Sequence, residues 1–269
     1  MSYDLLKGKK GIIFGALNED SIAWKVAERA HEEGAEFILS NAPVALRMGE
    51  LKKLAASTGS EVVAADVTSM EDLENLFTIA EAKFGKLDFI LHSIGMSINV
   101  RKKIHYTDAN YDYYHKALDI SAMSFHRVMK VAKQKDIMNE WGSILALSFI
   151  AAQMAIPGYN DMSDAKALLE SIARTFGYYY GKDKKVRINT ISQSPTKTTA
   201  GGGIKGFDTL YNYAEKCSPL GNAPSLDCAN YCITLFSDLT KYVTMQNLFH
   251  DGGFSTTGLT DDIMEDIER

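Results

Sequence analysis

Short apolar runs alternate with amphipathic stretches along nearly the whole chain, and this constrains the fold more than any other feature. The first run, Gly11-Ile12-Ile13-Phe14-Gly15, is followed by a helical pattern from Ser21 to Glu33 that stops at Gly34. Then come Phe37-Ile38-Leu39, a helix near Val44–Ser57, Glu61–Ala65, a helix near Met70–Phe84, and Leu87-Asp88-Phe89-Ile90-Leu91. After a polar loop and one long helix around Tyr111–Met138, the pattern resumes with Ser143–Leu147, a helix near Tyr159–Tyr180, Val186–Ile191 and Gln246–His250. Strands joined by helical crossovers run parallel. The expected fold is therefore an α/β, doubly wound, seven-stranded parallel sheet flanked by helices, with ligands at the carboxyl ends of the strands.

No Pro/Gly/Ser-rich linker and no internal repeat divides the 269 residues, and 46% hydrophobic residues suffice for a large core, so residues 1–269 are expected to form a single domain. No uninterrupted apolar stretch reaches about 18 residues, and Met1 to Lys10 lack a signal-peptide core, so a cytoplasmic protein without membrane insertion is expected. The net charge of −5 argues against a nucleic-acid partner. Cys217, Cys228 and Cys232 have neither CxxC spacing nor a neighbouring His; they read as reduced structural thiols, and no metal site is expected. The stretch from Ser192 to Phe207 holds Pro195, three threonines and Gly201-Gly202-Gly203. So polar a segment inside a compact domain is usually functional, and it reads as a mobile lid around residues 192–218. The acidic end Asp261–Arg269 reads as solvated or partner-docking.

In the first turn, Gly15-Ala16-Leu17-Asn18-Glu19-Asp20-Ser21-Ile22-Ala23, a glycine ends a strand and a serine opens a helix, so backbone amides can hold a pyrophosphate. The three-glycine dinucleotide fingerprint is absent, and an ordinary strand-to-helix turn explains the segment as well. Asp66-Val67 closes the third strand, where a carboxylate can accept from an adenine amino group, and Ser93-Ile94-Gly95 closes the fourth, beside the expected ribose and nicotinamide. Taken singly, Asp66 can equally cap the next helix and Gly95 can equally serve a tight turn. No acidic residue follows the second strand, where Ser40-Asn41-Ala42 stands, so the usual clamp on the adenosine ribose is missing. Tyr159 and Lys166 lie seven residues apart, about two helical turns, and are expected on one face of one helix. An ammonium near a phenol would lower the tyrosine's pKa and favour proton donation. Tyr-x6-Lys alone fits a solvated helix face equally well.

With those residues in place, the sequence from Lys9 to about Phe254 resembles the enoyl-acyl-carrier-protein reductases, a branch of the short-chain dehydrogenase/reductase superfamily. The resemblance is carried by Gly15-x5-Ser21-Ile22-Ala23, His92-Ser93-Ile94-Gly95, Asp119-Ile120-Ser121, Ala155-Ile156-Pro157-x-Tyr159-Asn160-x-Met162, Lys166, Val186-Arg187-Ile188-Asn189 and His250-Asp251-Gly252-Gly253-Phe254. It implies a Rossmann-type domain that delivers hydride from NADH, with NADPH left open, to the β-carbon of a trans-2-enoyl thioester on an acyl-carrier protein. Tyr159 would donate a hydrogen bond to the enolate oxygen as charge develops, and Lys166 would fix the nicotinamide ribose. Pro195, Thr196 and Thr198 would meet the carboxamide and pyrophosphate, while Gly95, Met96, Phe149, Tyr159, Met162, Ile204 and Phe207 would shape the acyl pocket. For Met162 and Phe207, plain core packing is the competing reading. A homotetramer is also implied, to which Tyr111-x-Tyr113-Tyr114 and Tyr178-Tyr179-Tyr180 offer surface, although internal packing explains them equally.

Three departures from the family pattern stand out. Phe149 occupies the place of a second tyrosine, ten residues before Tyr159. The basic cluster expected on the lid helix is reduced to Lys205, so Arg101-Lys102-Lys103 becomes a second candidate for carrier docking, against the plainer reading of a solvated loop. Asn41-Ala42-Pro43 follows the second strand without an Arg/Lys pair for a 2′-phosphate, which favours NADH. The rival readings are a short-chain reductase acting on a ketone, against which the x6 spacing and Ser-Ile-Gly motif argue, and a catalytically silent cofactor-binding paralogue, against which Tyr159 and Lys166 argue.

Overall fold

A computed structural model describes residues 2–48, 50–199, 201 and 206–268, without the side chains of Met48 and Asp266. Seven strands form one sheet: β1 (Lys10–Phe14), β2 (Glu36–Asn41), β3 (Glu61–Ala64), β4 (Leu87–His92), β5 (Met138–Ser148), β6 (Arg187–Gln193) and β7 (Asn247–His250). Their order is β3-β2-β1-β4-β5-β6-β7 and every neighbouring pair is parallel. The winding reverses between β1 and β4, which opens a crevice at their carboxyl ends.

Alternation along the strands splits the core in two. Ile12, Phe14, Ile38, Ile90 and Ile144 face helices α4 (Met70–Phe84), α7 (Ser124–Gln134) and α8 (Asp161–Lys184). Ile13, Leu39, Phe89 and Leu91 face α1 (Ile22–Glu32), α3 (Leu51–Thr58) and α10 (Ser225–Phe236). Each of these fully buried side chains contributes about 1.5–3 kcal/mol relative to exposure. Parallel strands covered on both faces explain why the sequence shows continuous apolar runs rather than a polar–apolar alternation. Cys228 and Cys232 pack under α1, and Cys217 lies in a third cluster; all three are buried and unpaired.

The segment expected as one helix near Val44–Ser57 is two, α2 (Pro43–Met48) and α3, with Gly49 between them outside the described residues. The long helix expected around Tyr111–Met138 is likewise divided. It consists of α6 (Tyr111–Leu118), a wide π-turn over Asp119–Met123, and α7, while Met138 already belongs to β5. That strand runs longer than its apolar stretch because the register shifts between Leu87 and Phe89 of β4, and Trp141 takes a φ of 65°.

Candidate active site

At the crevice, Gly15 crosses the exit of β4. Its φ is 94°, and a Cβ there would lie 1.9 Å from the Ser93 carbonyl oxygen, so only glycine fits. The turn beyond is tied by its own side chains: the Ser21 hydroxyl donates to the Asn18 carbonyl at 2.6 Å and accepts from the Leu17 amide at 3.1 Å. Ser21 therefore makes no side-chain cap on α1, which leaves the first-turn amides of Ile22 and Ala23 uncapped by a side chain and open to an anion. Asn41 spends its amide on the same turn, donating to the Ala16 carbonyl at 2.9 Å. A dinucleotide fits these residues: the tight glycine crossing lets its backbone approach, and the uncapped helix end suits its pyrophosphate.

Asp66 lies just past β3 and is exposed. Its Oδ1 accepts from the Thr68 amide at 2.9 Å and the Thr68 hydroxyl at 2.7 Å, closing a turn, while Ser69 supplies the cap of α4. Val67 is buried among the core residues under α4. On the other side, Pro195 is buried, and the Thr196 hydroxyl donates to the Ser194 carbonyl at 2.9 Å. Thr198 accepts from the Gly201 amide at 3.0 Å, and the Asn18 amide donates to Thr199 at 2.9 Å, tying this segment to the first turn. Ser192 and Gln193 are the last residues of β6 rather than part of the irregular segment. Phe207 opens α9 (Phe207–Cys217) against Gly201 and Tyr211. Ile204 and Lys205 lie outside the described residues, as do Gly202 and Gly203.

Tyr159 is not on the helix that carries Lys166. It stands two residues before α8, after Gly158 at φ 87° and before Asn160 at φ 48°, a strained conformation for a residue with a Cβ. Asn160 donates to the Ile104 carbonyl, and Asp161, wholly buried, accepts from Ser97 Oγ at 2.6 Å and Asn99 Nδ2 at 2.8 Å. These bonds fix the start of α8, and with it Tyr159, against α5 (Ile98–Arg101). Lys166 is buried, and its ammonium donates to the Leu147 carbonyl at 2.7 Å. Gly95 lies directly above: a Cβ on it would be 3.3 Å from Met162 Cε and 3.9 Å from Lys166 Nζ. The third apolar cluster covers this floor, with Val100, Phe149, Tyr159, Met162 and Phe254 among its members and the Phe149 and Tyr159 rings 5.0 Å apart. Met162 thus packs in that cluster and also borders the crevice at Gly95.

The electrostatics run opposite to the sequence expectation for Tyr159. Burial raises the phenol's pKa above its ordinary value, and no charge pulls it back. The hydroxyl therefore stays protonated and remains a donor. Burial pushes Lys166 down to about 8, partly offset by the charge of Glu170. Glu170, one turn further along α8 and 4% exposed, accepts from the Ser148 hydroxyl at 2.6 Å and the Gln153 amide at 3.2 Å. Sequence reasoning missed this carboxylate; its only signal is the i,i+4 spacing from Lys166. Among the described residues no group of three His, Cys, Asp or Glu is placed to hold a metal. Nor, among them, is any helix long and apolar enough to cross a membrane.

The reversing parallel sheet and the glycine crossing at its switch point define a Rossmann-type fold of the dinucleotide-binding class. A sequence profile described as Enoyl-(Acyl carrier protein) reductase matches residues 15–255. The chain belongs to the enoyl-acyl-carrier-protein reductase family. It is 35% identical over 257 residues to enoyl-acyl-carrier-protein reductase (NADH) 1 of Rhizobium meliloti, covering 95% of this chain and 93% of that protein. It is 35% identical over 260 residues to the NADH-dependent FabI of Rickettsia bellii, covering 96% and 98%. Among solved structures, the FabI–NADH complex from Alistipes finegoldii is 64% identical with a TM-score of 0.95, covering 96% of this chain and 92% of that one. The Aquifex aeolicus NADH enzyme is 33% identical with a TM-score of 0.89, covering 95% and 100%.

Proposed function

We propose that the protein reduces the C2=C3 double bond of trans-2-enoyl thioesters on acyl-carrier protein with NADH, the last step of each fatty-acid elongation cycle. The observation that carries this reading is the floor formed by Gly95, Met162 and Lys166, with Met162 in the same apolar cluster as a protonated Tyr159. NADH, when bound, supplies the hydride that reaches the β-carbon. Tyr159 directs its O–H at the thioester oxygen, where negative charge collects as the double bond is consumed. Its raised pKa keeps that proton on the phenol until the oxygen becomes basic enough to compete for it. Lys166, held by the Leu147 carbonyl, presents its remaining N–H groups to the nicotinamide ribose. Phe149 offers only its ring, so the donor role rests on Tyr159.

For the rest of the cofactor, Gly15, Ser21, Ile22, Asp66, Val67, Ser93, Ile94, Pro195, Thr196 and Thr198 are the residues we assign to contact, with the segment around 192–218 as lid. Carrier docking is assigned to Arg101, Lys102 and Lys103, all exposed directly after Val100 of the apolar cluster. The assembly we assign is a cytoplasmic homotetramer. Tyr178 and Tyr179 support it, being 49% and 61% exposed, whereas Tyr180 is buried in the core.

The decisive test is loss of nicotinamide absorbance with crotonyl and with acetoacetyl thioesters. Oxidation of NADH with the crotonyl substrate alone is expected; oxidation with acetoacetyl alone would make the protein a ketone reductase, and none with either a silent paralogue. A second expectation concerns pH. The charged form of Lys166 is lost as pH rises through about 8, so the Kd for NADH, read from nicotinamide fluorescence, should rise several-fold between roughly pH 7 and 9. A Lys166→Met variant should show no such rise, and a flat wild-type profile would remove Lys166 from the ribose.

A further inference from the structure

The π-turn between α6 and α7 does more than bend the chain. Its last turn sends the Ser124 amide back five residues to the Asp119 carbonyl, diverting it from Ile120, its partner in an α-helix. The Ser124 hydroxyl takes over, donating to the Ile120 carbonyl at 2.6 Å. His92 Nε2 lies 2.8 Å from that same hydroxyl oxygen. The hydroxyl has one hydrogen and spends it on a carbonyl, which only accepts, so Nε2–H of His92 must be the donor. The ring is thereby fixed as one tautomer, and its Nδ1 is buried with no partner among the described residues. Burial, with the Lys166 charge second, pushes the imidazole down to about 3, so it stays neutral and the assignment holds at any working pH.

A fully buried histidine with one orphaned nitrogen is a poor choice for packing alone. Its purpose becomes plain one residue pair further on. Ser121, on the same π-turn and fully buried, accepts from the Met96 amide at 3.0 Å; its own hydrogen faces the Met96 carbonyl at 3.3 Å and the Met162 sulfur at 3.6 Å. One turn thus grips both ends of residues 92–96, His92 through Ser124 and Met96 through Ser121. Between the grips lies Gly95, 3.9 Å in Cβ terms from the Lys166 ammonium.

We propose that His92, Ser124 and Ser121 are positioning residues for the reduction, forming a clamp that sets the Ser93–Gly95 segment against Lys166 and Met162. None of the three needs to touch substrate or cofactor; they hold the floor on which the two meet. The inference rests on the enoyl-reductase reading for its kinetic consequence, but the clamp itself is visible without turnover.

The variants are Ser124→Ala and His92→Phe, which remove the first grip, Ser121→Ala, which removes the second, and His92→Gln, which keeps a donor near the Nε2 position. Amide hydrogen exchange at Gly95 and Met96 should accelerate roughly tenfold in Ser124→Ala and His92→Phe, although neither residue bonds to Met96. In the same variants kcat for the crotonyl thioester should fall roughly tenfold with KM little changed, the double variant no worse than either single one, and His92→Gln should recover most of the loss. Exchange at 95–96 unchanged, or kcat losses that simply track thermal stability and add in the double variant, would overturn the clamp. Should His92→Phe fail to fold, Ser124→Ala and Ser121→Ala carry the same test. Accelerated exchange in an enzyme whose wild type leaves crotonyl thioester untouched would leave the clamp standing and remove the enoyl-reductase reading instead.

Discussion

Tyr159→Phe is expected to lower kcat for crotonyl thioester by roughly 10²–10³, the usual cost of losing one donor to a developing oxyanion. Thermal stability and NADH affinity should stay nearly unchanged. The ring is 9% exposed and packs 5.0 Å from Phe149, contacts that phenylalanine keeps, and the strained Asn160 behind it is held by bonds that do not involve the hydroxyl. The loss should be near the top of that range because Phe149 offers no second hydroxyl. By the same reasoning, kcat should be flat at alkaline pH in respect of Tyr159, whose proton burial holds more tightly than usual. A loss under about threefold would assign the donor elsewhere.

Where the chain follows regular periodicity, the sequence was enough. All seven expected strands form: the inner strands β1, β4 and β5 read as apolar runs because they are buried on both faces, while the edge strands β3 and β7 are more exposed and carry polar residues. Gly15 and Gly95 were legible from their places just past β1 and β4, the reversing pair of strands. The π-turn was not legible: one extra residue in a helical turn leaves hydrophobic periodicity almost intact over a window of 11 to 18 residues. The same blindness placed Tyr159 on α8, because the Tyr-x6-Lys spacing looks helical even though Gly158 and Asn160 both take positive φ. The direction of the Tyr159 shift was missed for another reason. Spacing suggested a nearby ammonium, but the Lys166 ammonium is directed to the Leu147 carbonyl and desolvation decides. Buried partners such as Glu170 and His92 are bonded to residues 22 and 32 positions away, distances at which one sequence carries no signal.

Arg187→Met should cost about 3–5 kcal/mol, as expected when a buried, hydrogen-bonded charge is stripped from its partners. Arg187 is 2% exposed, and its guanidinium donates to the carbonyls of Trp141 at 3.3 Å, Leu235 at 2.9 Å, Thr240 at 3.1 Å and Ser237 at 3.2 Å, and to the Thr240 hydroxyl at 2.9 Å. All five acceptors are neutral oxygens, so the cation is satisfied by dipoles rather than by a carboxylate. Leu235 and Ser237 are at the carboxyl end of α10, where the helix dipole favours a positive charge. Burial lowers the guanidinium's pKa, with the charge of Asp238 opposing, yet an arginine stays charged at any pH the protein tolerates. Methionine fills much of the volume but removes the guanidinium's donors from those carbonyls; Leu235 keeps the Ser143 hydroxyl at 2.9 Å and Thr240 keeps the Val243 amide at 3.1 Å, while each group left short of a donor carries its own desolvation cost. The melting temperature should drop by roughly 10 °C. Arg187→Lys should recover only part of this, since one ammonium cannot span acceptors on three elements. A shift under about 2 °C for the methionine variant would mean that water replaces the guanidinium and that the staple contributes little.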